Sequence, residues 1–600
     1  MIDLDSSPLV RRATRAFLPL LLVAAASAGA LAQQGEGVRR GPHPLDPEEC
    51  GIGRPVPRLE WRDLTGRPGR LGEVGALRGQ LVVLTDTSCP LTGKYAPVVA
   101  RLQGRCLEAG IQLLLLNTDP GEEREALLAW SELHGISAPY VHDTTGGLAR
   151  ALGARTTTDV FLMDAEGMLV YRGAIDDRHG LGYSRGEPEE TYLEDALDAL
   201  RDGVPAPVPA TWAPGCVLDL SEPEGAGQLT WHGRISRIVE QRCTRCHHAG
   251  GVAPFTLESR SDLERRKGMV RFVVEEGLMP PWGATHRGGP FSNDGSLTTE
   301  ERTDLLAWLE AGLPAGDPAA AAPVRPRLAP GTWSIGDPDE VVTLPRAQRI
   351  PAEGVLDYVE LLLPQSSEED RWVTAVEVRP TAVEVVHHVL VHVVAPGERL
   401  RRGRGRLPGF LAAYVPGNSY TVFPPGFAKR LPAGASLFFQ IHYTPNGTPA
   451  VDRTQLGLVF QDEAPEHEVR TVGIANRRFS IPPGEAHHLV SQGLDLRRPV
   501  GVLAVMPHMH LRGKAFEVTA AVPGGEPEVL LEVPRYDFNW QLAYRYRDPV
   551  LLPAGTRLEV RGWFDNSASN PANPDPGARV RWGEQTDEEM MVGFVEYYYR

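Results

Sequence analysis

Histidine is unevenly distributed along this chain of 600 residues, and its spacing constrains the fold more than any other feature. Nine of the 17 histidines lie between positions 380 and 510. They include the adjacent pair His387 and His388, the single His442, and His508 and His510 two residues apart. Side chains two residues apart share one face of an extended strand. We therefore expect His508 and His510 to point the same way.

The histidine spacing favours a metal site. Neutral imidazoles bind copper, zinc, iron or nickel, and a thioether as third ligand favours copper. Met590 could supply that thioether to the histidines at the C-terminal end of the cluster. Adjacent residues on a regular strand face opposite ways, so His387 and His388 can share a metal only across a bulge. Without a bulge, His388 and His392 would share a face, and the ligand set would change.

The scaffold of these histidines is predicted to be all-β. Residues 336 to 600 consist of short alternating runs of apolar and polar residues, such as 355–362, Ser436–Tyr443 and 557–563, separated by proline and glycine. Such runs are typical of sandwiches and jelly rolls. We predict two tandem jelly-roll domains, 336–470 and 471–600. The six cysteines all precede position 250, so these domains contain no disulfides.

A second motif predicts a haem group. Residues 243 to 247 read Cys-Thr-Arg-Cys-His, the covalent attachment motif of c-type haem. Cys243 and Cys246 would add to the haem vinyl groups, and His247 would be an axial ligand. Met279, flanked by proline, is the candidate for the second axial position, whereas Met269 lies in a helical stretch and is expected to pack. A zinc site is the alternative.

The segment 228–316 around this motif resembles small all-α cytochrome c domains. Its last helix carries a capping box, with Thr298 at the N-cap and Glu301 three residues later. Gly312 follows as the stop signal.

Residues 50 to 205 alternate between strand and helix patterns. Buried strands are predicted at 80–85 and 111–116, helices at 94–107, 122–134 and 191–201, and a hairpin at 160–171. This order is typical of an α/β layer fold. Cys89 lies between the first strand and the first helix, where the helix dipole stabilises a thiolate.

The run from Thr87 to Pro90, Thr-Ser-Cys-Pro, resembles the active-site turn of the thioredoxin-like redoxin family. Three positions depart from that family. Thr92 replaces the second cysteine of the pair, Thr158 replaces the cis-proline, and Asp86 replaces the peroxidase threonine. Cys216 is a candidate resolving partner for Cys89. A structural disulfide, or an inactive relic, remains the alternative for Cys89.

The order His-His, His, His-x-His, Met resembles the copper type II, ascorbate-dependent monooxygenases, the peptidylglycine α-hydroxylating and dopamine β-monooxygenase family. The resemblance implies two jelly-roll domains, each with one copper, and an open cleft between them. It assigns one electron-storing copper and one copper that binds O₂. The implied ligands are, in that order, His387, His388 and His442, and then His508, His510 and Met590.

The family residues that grip a peptide carboxylate are replaced here by Met506, Val592 and Phe594. The resemblance therefore implies a substrate less polar than a peptide with a C-terminal glycine.

The N-terminus predicts export. Three arginines, Arg11, Arg12 and Arg15, precede an apolar run that ends in the small-x-small pattern of residues 30–32. We interpret 1–32 as a signal peptide, with an uncleaved anchor as the alternative, and expect no membrane span after cleavage. The mature chain would be periplasmic or secreted. A net charge of −16 argues against nucleic acid as a partner.

Together these patterns predict an exported, copper-dependent monooxygenase that hydroxylates an unactivated C–H bond of a small molecule with O₂. Its cofactors would be two copper ions and haem c. Electrons would come from ascorbate or another small donor, or from a donor protein through the haem domain. Two alternatives stay open: a non-catalytic electron-transfer or copper-handling protein, and a thiol–disulfide redox protein acting through Cys89.

Overall fold

A computed structural model describes residues 39–73, 77–220, 229–321, 332–365, 367–398 and 409–600. The predicted signal peptide lies outside these residues. Within them, no helix is both long enough and apolar enough to cross a membrane. The described chain contains four units: an α/β unit (39–220), a helical unit (229–321), a first β unit (332–469) and a second β unit (470–600).

The α/β unit is built on a sheet with the strand order β5-β4-β3-β6-β7. Its strands are β1 (Glu60–Arg62), β2 (Pro68–Arg70), β3 (Gly79–Thr85), β4 (Ile111–Asn117), β5 (Tyr140–His142), β6 (Val160–Asp164), β7 (Leu169–Gly173), β8 (His179–Gly180) and β9 (Tyr183–Ser184). Its helices are α1 (Pro90–Ala109), α2 (Arg124–Leu133), α3 (Gly147–Leu152) and α4 (Tyr192–Asp202).

Strands β3, β4 and β5 are parallel, and β6 joins β3 antiparallel. Alternate residues of β3 enter two separate apolar cores, because α1, α2 and α4 cover one face of the sheet and α3 covers the other. This arrangement confirms the predicted α/β layers. Helix α1 begins at Pro90, four residues before the predicted start, since proline is well tolerated in the first turn of a helix. Cys89 is therefore the N-cap residue.

The helical unit contains α5 (Ser236–Arg242), α6 (Arg260–Arg265), α7 (Lys267–Glu275) and α8 (Thr299–Glu310). Trp308 is fully buried at the centre of its core. The predicted capping box is confirmed, because Thr298 accepts from the Glu301 amide and Glu301 accepts from the Thr298 amide. The unit packs on the second β unit through Trp282. The rings of Trp282 and Tyr544 meet edge-on, with their centres 4.9 Å apart.

The first β unit comprises one six-stranded, one four-stranded and one two-stranded sheet. Its strands are β10 (Glu340–Thr343), β11 (Gln348–Ile350), β12 (Val359–Pro364), β13 (Arg371–Arg379), β14 (Val386–Val394), β15 (Gly409–Tyr414), β16 (Tyr420–Val422), β17 (Phe427–Leu431), β18 (Ser436–Tyr443), β19 (Ala450–Asp452), β20 (Gln455–Gln461) and β21 (His467–Glu468). The larger sheets share one apolar core, and the four-stranded one has the order β12-β18-β14-β15.

The second β unit has two four-stranded sheets and one two-stranded sheet. Its strands are β22 (Arg470–Ala475), β23 (Ser480–Ile481), β24 (His488–Asp495), β25 (Val500–His508), β26 (Gly513–Ala521), β27 (Glu528–Val533), β28 (Tyr544–Leu552), β29 (Arg557–Phe564), β30 (Val580–Arg581) and β31 (Val592–Tyr599). The orders β22-β31-β25-β28 and β24-β29-β26-β27 enclose a second apolar core. The C-terminal region is thus β-rich.

A buried ion pair joins the two β units. Lys429 on β17 lies 2.7 Å from the Glu596 carboxylate on β31, and both side chains are almost fully buried. Lys429 also donates to Thr471 of the second unit at 3.1 Å. Arg545 approaches the other oxygen of Glu596 at 3.2 Å. Since isolated charges are costly to bury, this network fixes how the two units meet.

The α/β unit touches the first β unit close to the histidines. Gly93, in the first turn of α1, packs against Gly447, in the loop that follows β18. A Cβ atom on Gly447 would lie 1.9 Å from the Gly93 carbonyl oxygen. Gly447 also has φ +99°, a conformation that L side chains rarely adopt. Only glycine at this position lets the two units approach so closely.

We expect Gly447→Ala to destabilise the full chain by about 1–3 kcal/mol more than the control Gly354→Ala. Gly354 has a similar φ of +102°, but a Cβ there would meet nothing within 4 Å. Both variants therefore carry the backbone strain, and only the first carries the clash. Thermal unfolding of the two variants measures the difference. Equal melting temperatures would show that the contact between Gly93 and Gly447 does not hold the units together.

Candidate functional site

A pair of thiols lies at the start of α1. Cys89 is 2% exposed, and the Cys216 thiol hydrogen-bonds to it. Thr157 ties the two together, because its hydroxyl donates to the Cys89 sulfur at 3.1 Å and accepts from the Cys216 amide at 3.0 Å. All six cysteines of the chain are free thiols in this structure. The structure thus brings together the two cysteines that the sequence suggested as partners, and adds Thr157, which no sequence motif singled out.

The two thiols differ in acidity. The hydrogen bond from Cys216 outweighs burial and lowers the pKa of Cys89 to about 6, with Thr157 contributing. The same bond, together with burial, raises the pKa of Cys216. At neutral pH the pair is therefore a thiolate beside a protonated thiol, the arrangement that thiol exchange requires. The sequence predicted that the start of the helix stabilises the thiolate; the hydrogen bond from Cys216 is the largest contribution, and the Thr92 amide in the first turn of α1 adds a smaller one.

This acidity can be measured in the reduced chain. We expect the thiolate absorbance near 240 nm to rise with a midpoint near pH 6, because Cys89 ionises there. The step should vanish in Cys89→Ser. In Cys216→Ala it should move up by more than about one pH unit, since the strongest donor to the thiolate is lost. A midpoint unchanged in Cys216→Ala would contradict the assigned cause.

Three histidines of the first β unit meet at neighbouring strands. His388 on β14 pairs directly with His442 on β18. The register shifts between Val386 and His388, so His387 occupies a bulge. One nitrogen of each imidazole lies within 4.8 Å of the others, and among the described residues this is the one such set of three His, Cys, Asp or Glu side chains. The bulge that the sequence required is present, and His392 lies instead beside Phe410.

The histidine cluster has the properties of a metal site. Nε2 of His387, Nε2 of His388 and Nδ1 of His442 are buried and find no hydrogen-bond partner among the described residues. Each such atom costs about 1–3 kcal/mol unless something binds it. Burial lowers the pKa of His387 to about 4, and it lowers the pKa values of His388 and His442 well below their ordinary value. The imidazoles are therefore neutral, as metal ligands must be.

The second pair of histidines lies at the end of β25. Nδ1 of His508 is 2.5 Å from Oε1 of Gln541, and Nδ1 of His510 is 3.3 Å from the Glu588 carbonyl. Each contact leaves Nε2 as the nitrogen available to a metal, and that of His510 is buried without a partner among the described residues. Fixing one ring nitrogen in this way orients a histidine ligand. Gln541 had no sequence signal, because it is 33 residues away along the chain.

Met590 lies on the same face of the sheet as the second pair of histidines. The last paired residues of β25 and β31 are His508 and Val592, so continuing the register sets Met590 opposite His510. Met590 is buried in an apolar cluster with Phe594. Glu589 accepts from the amides of both His510 and Met590, at 2.8 and 3.2 Å. Its carboxylate thus holds the two segments side by side, a role that its place in the sequence did not reveal.

The haem motif forms a turn after α5. The His247 amide donates to the Cys243 carbonyl at 3.0 Å, which brings the two residues into one turn. Nδ1 of His247 lies 3.0 Å from the Phe255 carbonyl, which leaves Nε2 for an iron ligand. This geometry fits an axial histidine. Met279 follows α7 in a loop, whereas the Met269 sulfur accepts from the Val217 amide at 3.4 Å and packs as predicted.

A known protein family matches the N-terminal part of the chain. Residues 52–172 match the AhpC/TSA family. Residues 52–172 form a thioredoxin-like redoxin domain. The thiol:disulfide interchange protein DsbE of Escherichia coli is 28% identical over 163 residues, which are 26% of this chain and 84% of that protein.

Two further similarities cover about a third of this chain. Cobalt-precorrin-5B C(1)-methyltransferase of Methanococcoides burtonii is 26% identical over 226 residues, which are 35% of this chain and 63% of the methyltransferase. The chain therefore spans less than two thirds of that relative. A crystal structure of a hypothetical protein from Sinorhizobium meliloti has 24% identity and a TM-score of 0.27, covering 30% of this chain and 98% of that one.

A cavity of about 940 Å³ lies between the α/β unit and the other three units. The α/β unit contributes both thiols to its wall, the helical unit contributes Met279 and Trp282, and the first β unit contributes His387 and His442. The second β unit adds the aromatic wall around Phe538. The α/β unit is held over this cavity by Arg185, which donates to the Pro571 carbonyl at 2.9 Å. Both thiols, the predicted haem ligand Met279 and two of the predicted copper ligands thus line one cavity.

Proposed function

We propose that the α/β unit, which contains the redoxin domain, carries out thiol–disulfide exchange through Cys89 and Cys216. The observation that carries this proposal is the hydrogen-bonded thiol pair, with its acidic member at the N-cap of α1. Similarity to DsbE, a thiol:disulfide interchange protein, supports the same chemistry. Because Cys89 is 2% exposed and opens onto the cavity, the substrate must be a disulfide small enough to enter it.

The exchange would proceed in two steps. The Cys89 thiolate attacks one sulfur of the substrate disulfide, whose S–S bond breaks and leaves a mixed disulfide. Cys216 then attacks the Cys89 sulfur and gives its proton to the departing thiolate. The substrate is reduced by two electrons, and the chain retains a Cys89–Cys216 disulfide. Thr157 positions the Cys89 sulfur and the Cys216 backbone, because its hydroxyl donates to that sulfur and accepts from the Cys216 amide.

Mild oxidation of the reduced chain tests this proposal. We expect one intramolecular disulfide, detected by mass spectrometry as a link between the peptides of Cys89 and Cys216. Cys89→Ser should abolish it. Cys106→Ser is the matched control, because Cys106 is equally buried in α1 but lies in the apolar core. A disulfide involving another cysteine, or none at all, would overturn the proposal.

We further propose that the two β units bind copper and act as a monooxygenase. The observation that favours this second function is the bulged histidine set facing the pair His508 and His510. Copper at these residues would supply O₂ activation and electron storage. The substituted positions Met506, Val592 and Phe594 are all buried and contain no charged group, which favours an apolar substrate over a peptide carboxylate.

The chain itself would orient the reactants. Gln541 and Glu589 hold the histidine and methionine segments in register, as their hydrogen bonds indicate. The α/β unit and Trp282 form part of the cavity wall, and the cavity would hold the substrate beside His387 and His442. A haem c on Cys243, Cys246 and His247, with Met279 as the proposed second ligand, would relay electrons from ascorbate or another donor.

Metal content of the exported, purified chain tests the second function. Two coppers and one haem per chain, with O₂ uptake that depends on a reductant, would support it. Two coppers without reductant-dependent O₂ uptake would instead support the alternative of a copper-handling or electron-transfer protein. One haem and no copper after reconstitution would overturn both copper functions while leaving the thiol chemistry intact.

A further inference from the structure

We infer that the substrate of the thiol pair is a small disulfide that carries a carboxylate, and that Lys94 binds this carboxylate. The inference rests on the thiol–disulfide exchange proposed above and names the class of its substrate.

Lys94 lies on the same helix as Cys89, on the side that faces the cavity. Cys89, Leu91 and Lys94 all line the cavity wall. At 1.5 Å per residue, Lys94 is about 7.5 Å beyond Cys89 along the axis of α1. Helical side chains tilt back toward the start of their helix. A substrate whose sulfur meets Cys89 therefore needs only a short carbon chain to bring a carboxylate to the Lys94 ammonium.

The Lys94 ammonium has no counter-charge in the part of the chain that the structure describes. Its Nζ donates to the Ser184 hydroxyl at 2.7 Å, and no carboxylate pairs with it. An ammonium has three donor hydrogens, so two remain for a ligand. Lys94 is half-buried, and burial lowers its pKa to about 8, so it stays mainly protonated at neutral pH. Because a desolvated cation without a partner is costly, this position favours an anionic ligand.

The two arginines that the α/β unit contributes to the cavity wall are already balanced by carboxylates. Arg178 lies 3.7 Å from Glu187 and 3.7 Å from Glu353, and Arg185 lies 2.9 Å from Glu189. All five of these side chains line the cavity. The lysine differs from both arginines, because its charge is left for a ligand.

The groups around Lys94 hold it in place and add no negative charge. Ser184, which accepts from Lys94, also lies 3.1 Å from Nδ1 of His179. Ser184 and His179 line the cavity as well. Burial lowers the pKa of His179, and the charges of Lys94 and Arg178 lower it further. The electrostatic potential at this part of the wall is therefore positive, which suits a carboxylate.

The reaction keeps the two steps proposed above. Lys94 holds the carboxylate while the Cys89 thiolate attacks the nearer sulfur and the substrate S–S bond breaks. After Cys216 has resolved the mixed disulfide, two carboxylate-bearing products have left, one as a thiolate and one as a thiol with the Cys216 proton. The substrate gains two electrons, and the chain keeps one disulfide. Lys94 touches only the carboxylate, so it determines which disulfide binds.

Single-turnover oxidation of the reduced full chain by three small disulfides tests the inference. Dithiodipropionate is anionic, hydroxyethyl disulfide is neutral and cystamine is cationic. The rate of formation of the Cys89–Cys216 disulfide, followed by mass spectrometry after quenching, is measured for each. We expect the ratio of the anionic to the neutral rate to fall at least about tenfold in Lys94→Gln, the effect of losing a hydrogen bond to a charged group. Differences in intrinsic reactivity between the disulfides cancel in this comparison.

Two further variants control for charge and folding. Lys94→Arg keeps a cation in the wall and should retain most of the preference for the anionic disulfide. Lys514→Gln removes the same charge from a lysine that does not line the cavity, and should leave the ratio unchanged. The rate with the neutral disulfide should stay within about twofold in all three variants, since the charge-assisted hydrogen bond is absent from that reaction.

A ratio unchanged in Lys94→Gln would overturn the inference while leaving thiol–disulfide exchange standing. Faster reaction with cystamine than with dithiodipropionate would also overturn it, because carboxylates of the wall such as Asp357 and Asp587 would then set the charge preference. If none of the three disulfides oxidised the thiol pair, the inference and the proposed exchange would fail together.

Discussion

Replacing His388 with alanine should lower the affinity of the first histidine site for copper at least about 100-fold, because even the residues that only orient metal ligands contribute about 10–100-fold. His388 is directly paired with His442 and carries one of the unpartnered nitrogens. A chelator competition assay on the full chain measures the change.

His392→Ala is the matched control for this experiment. His392 lies on the same strand and is equally buried, but it contacts Phe410 and Phe438 instead of the other histidines. Its replacement should leave the copper affinity unchanged. If the two variants lost affinity equally, the first site would contain a different set of ligands from the one proposed.

Glu596→Gln should destabilise the chain by about 3–5 kcal/mol, because it leaves the buried Lys429 ammonium without its counter-charge. Burial lowers the pKa of Lys429, and Glu596 is the main group that raises it again. For Glu596 itself, Lys429 and Arg545 outweigh burial and lower its pKa. The two groups lie 2.7 Å apart as an ion pair, and chemical denaturation of the full chain reports its loss.

The double variant Lys429→Met with Glu596→Gln separates the effect of the buried charge on stability from the effect of packing. It should recover much of the lost stability, since methionine fills a similar volume without a buried charge. A double variant as unstable as Glu596→Gln alone would contradict the uncompensated Lys429 charge as the cause of the loss, since the double variant no longer carries that charge.

Local patterns predicted much of this architecture. The alternation of strands and helices in the redoxin domain, the capping box of α8 and the β-rich C-terminal region follow from residue spacing, although β5 and α3 were not predicted. The adjacency of His387 and His388 by itself implied a bulge, because two neighbouring side chains cannot otherwise share a face. Predicted boundaries were less accurate: β12 begins at Val359, four residues later than the apolar run suggested.

Long-range contacts were not predictable in the same way. Thr157, Gln541 and Phe538 have no motif of their own and acquire their roles only when distant segments meet. The acidity of Cys89 depends on Cys216, far along the chain, more than on the helix that follows it. The order of the histidines suggested two sites, but the distance between those sites is set by how the two β units dock.

The central cavity has a consequence for how such a chain can evolve. Each wall of the cavity belongs to a different part of the chain, so no single part forms the cavity by itself. Exchanging any one part for a homologue by recombination would replace a wall, including contacts as tight as that between Gly93 and Gly447. The four parts must therefore be inherited together. Substitutions on the surfaces that face the cavity must be compatible with one another.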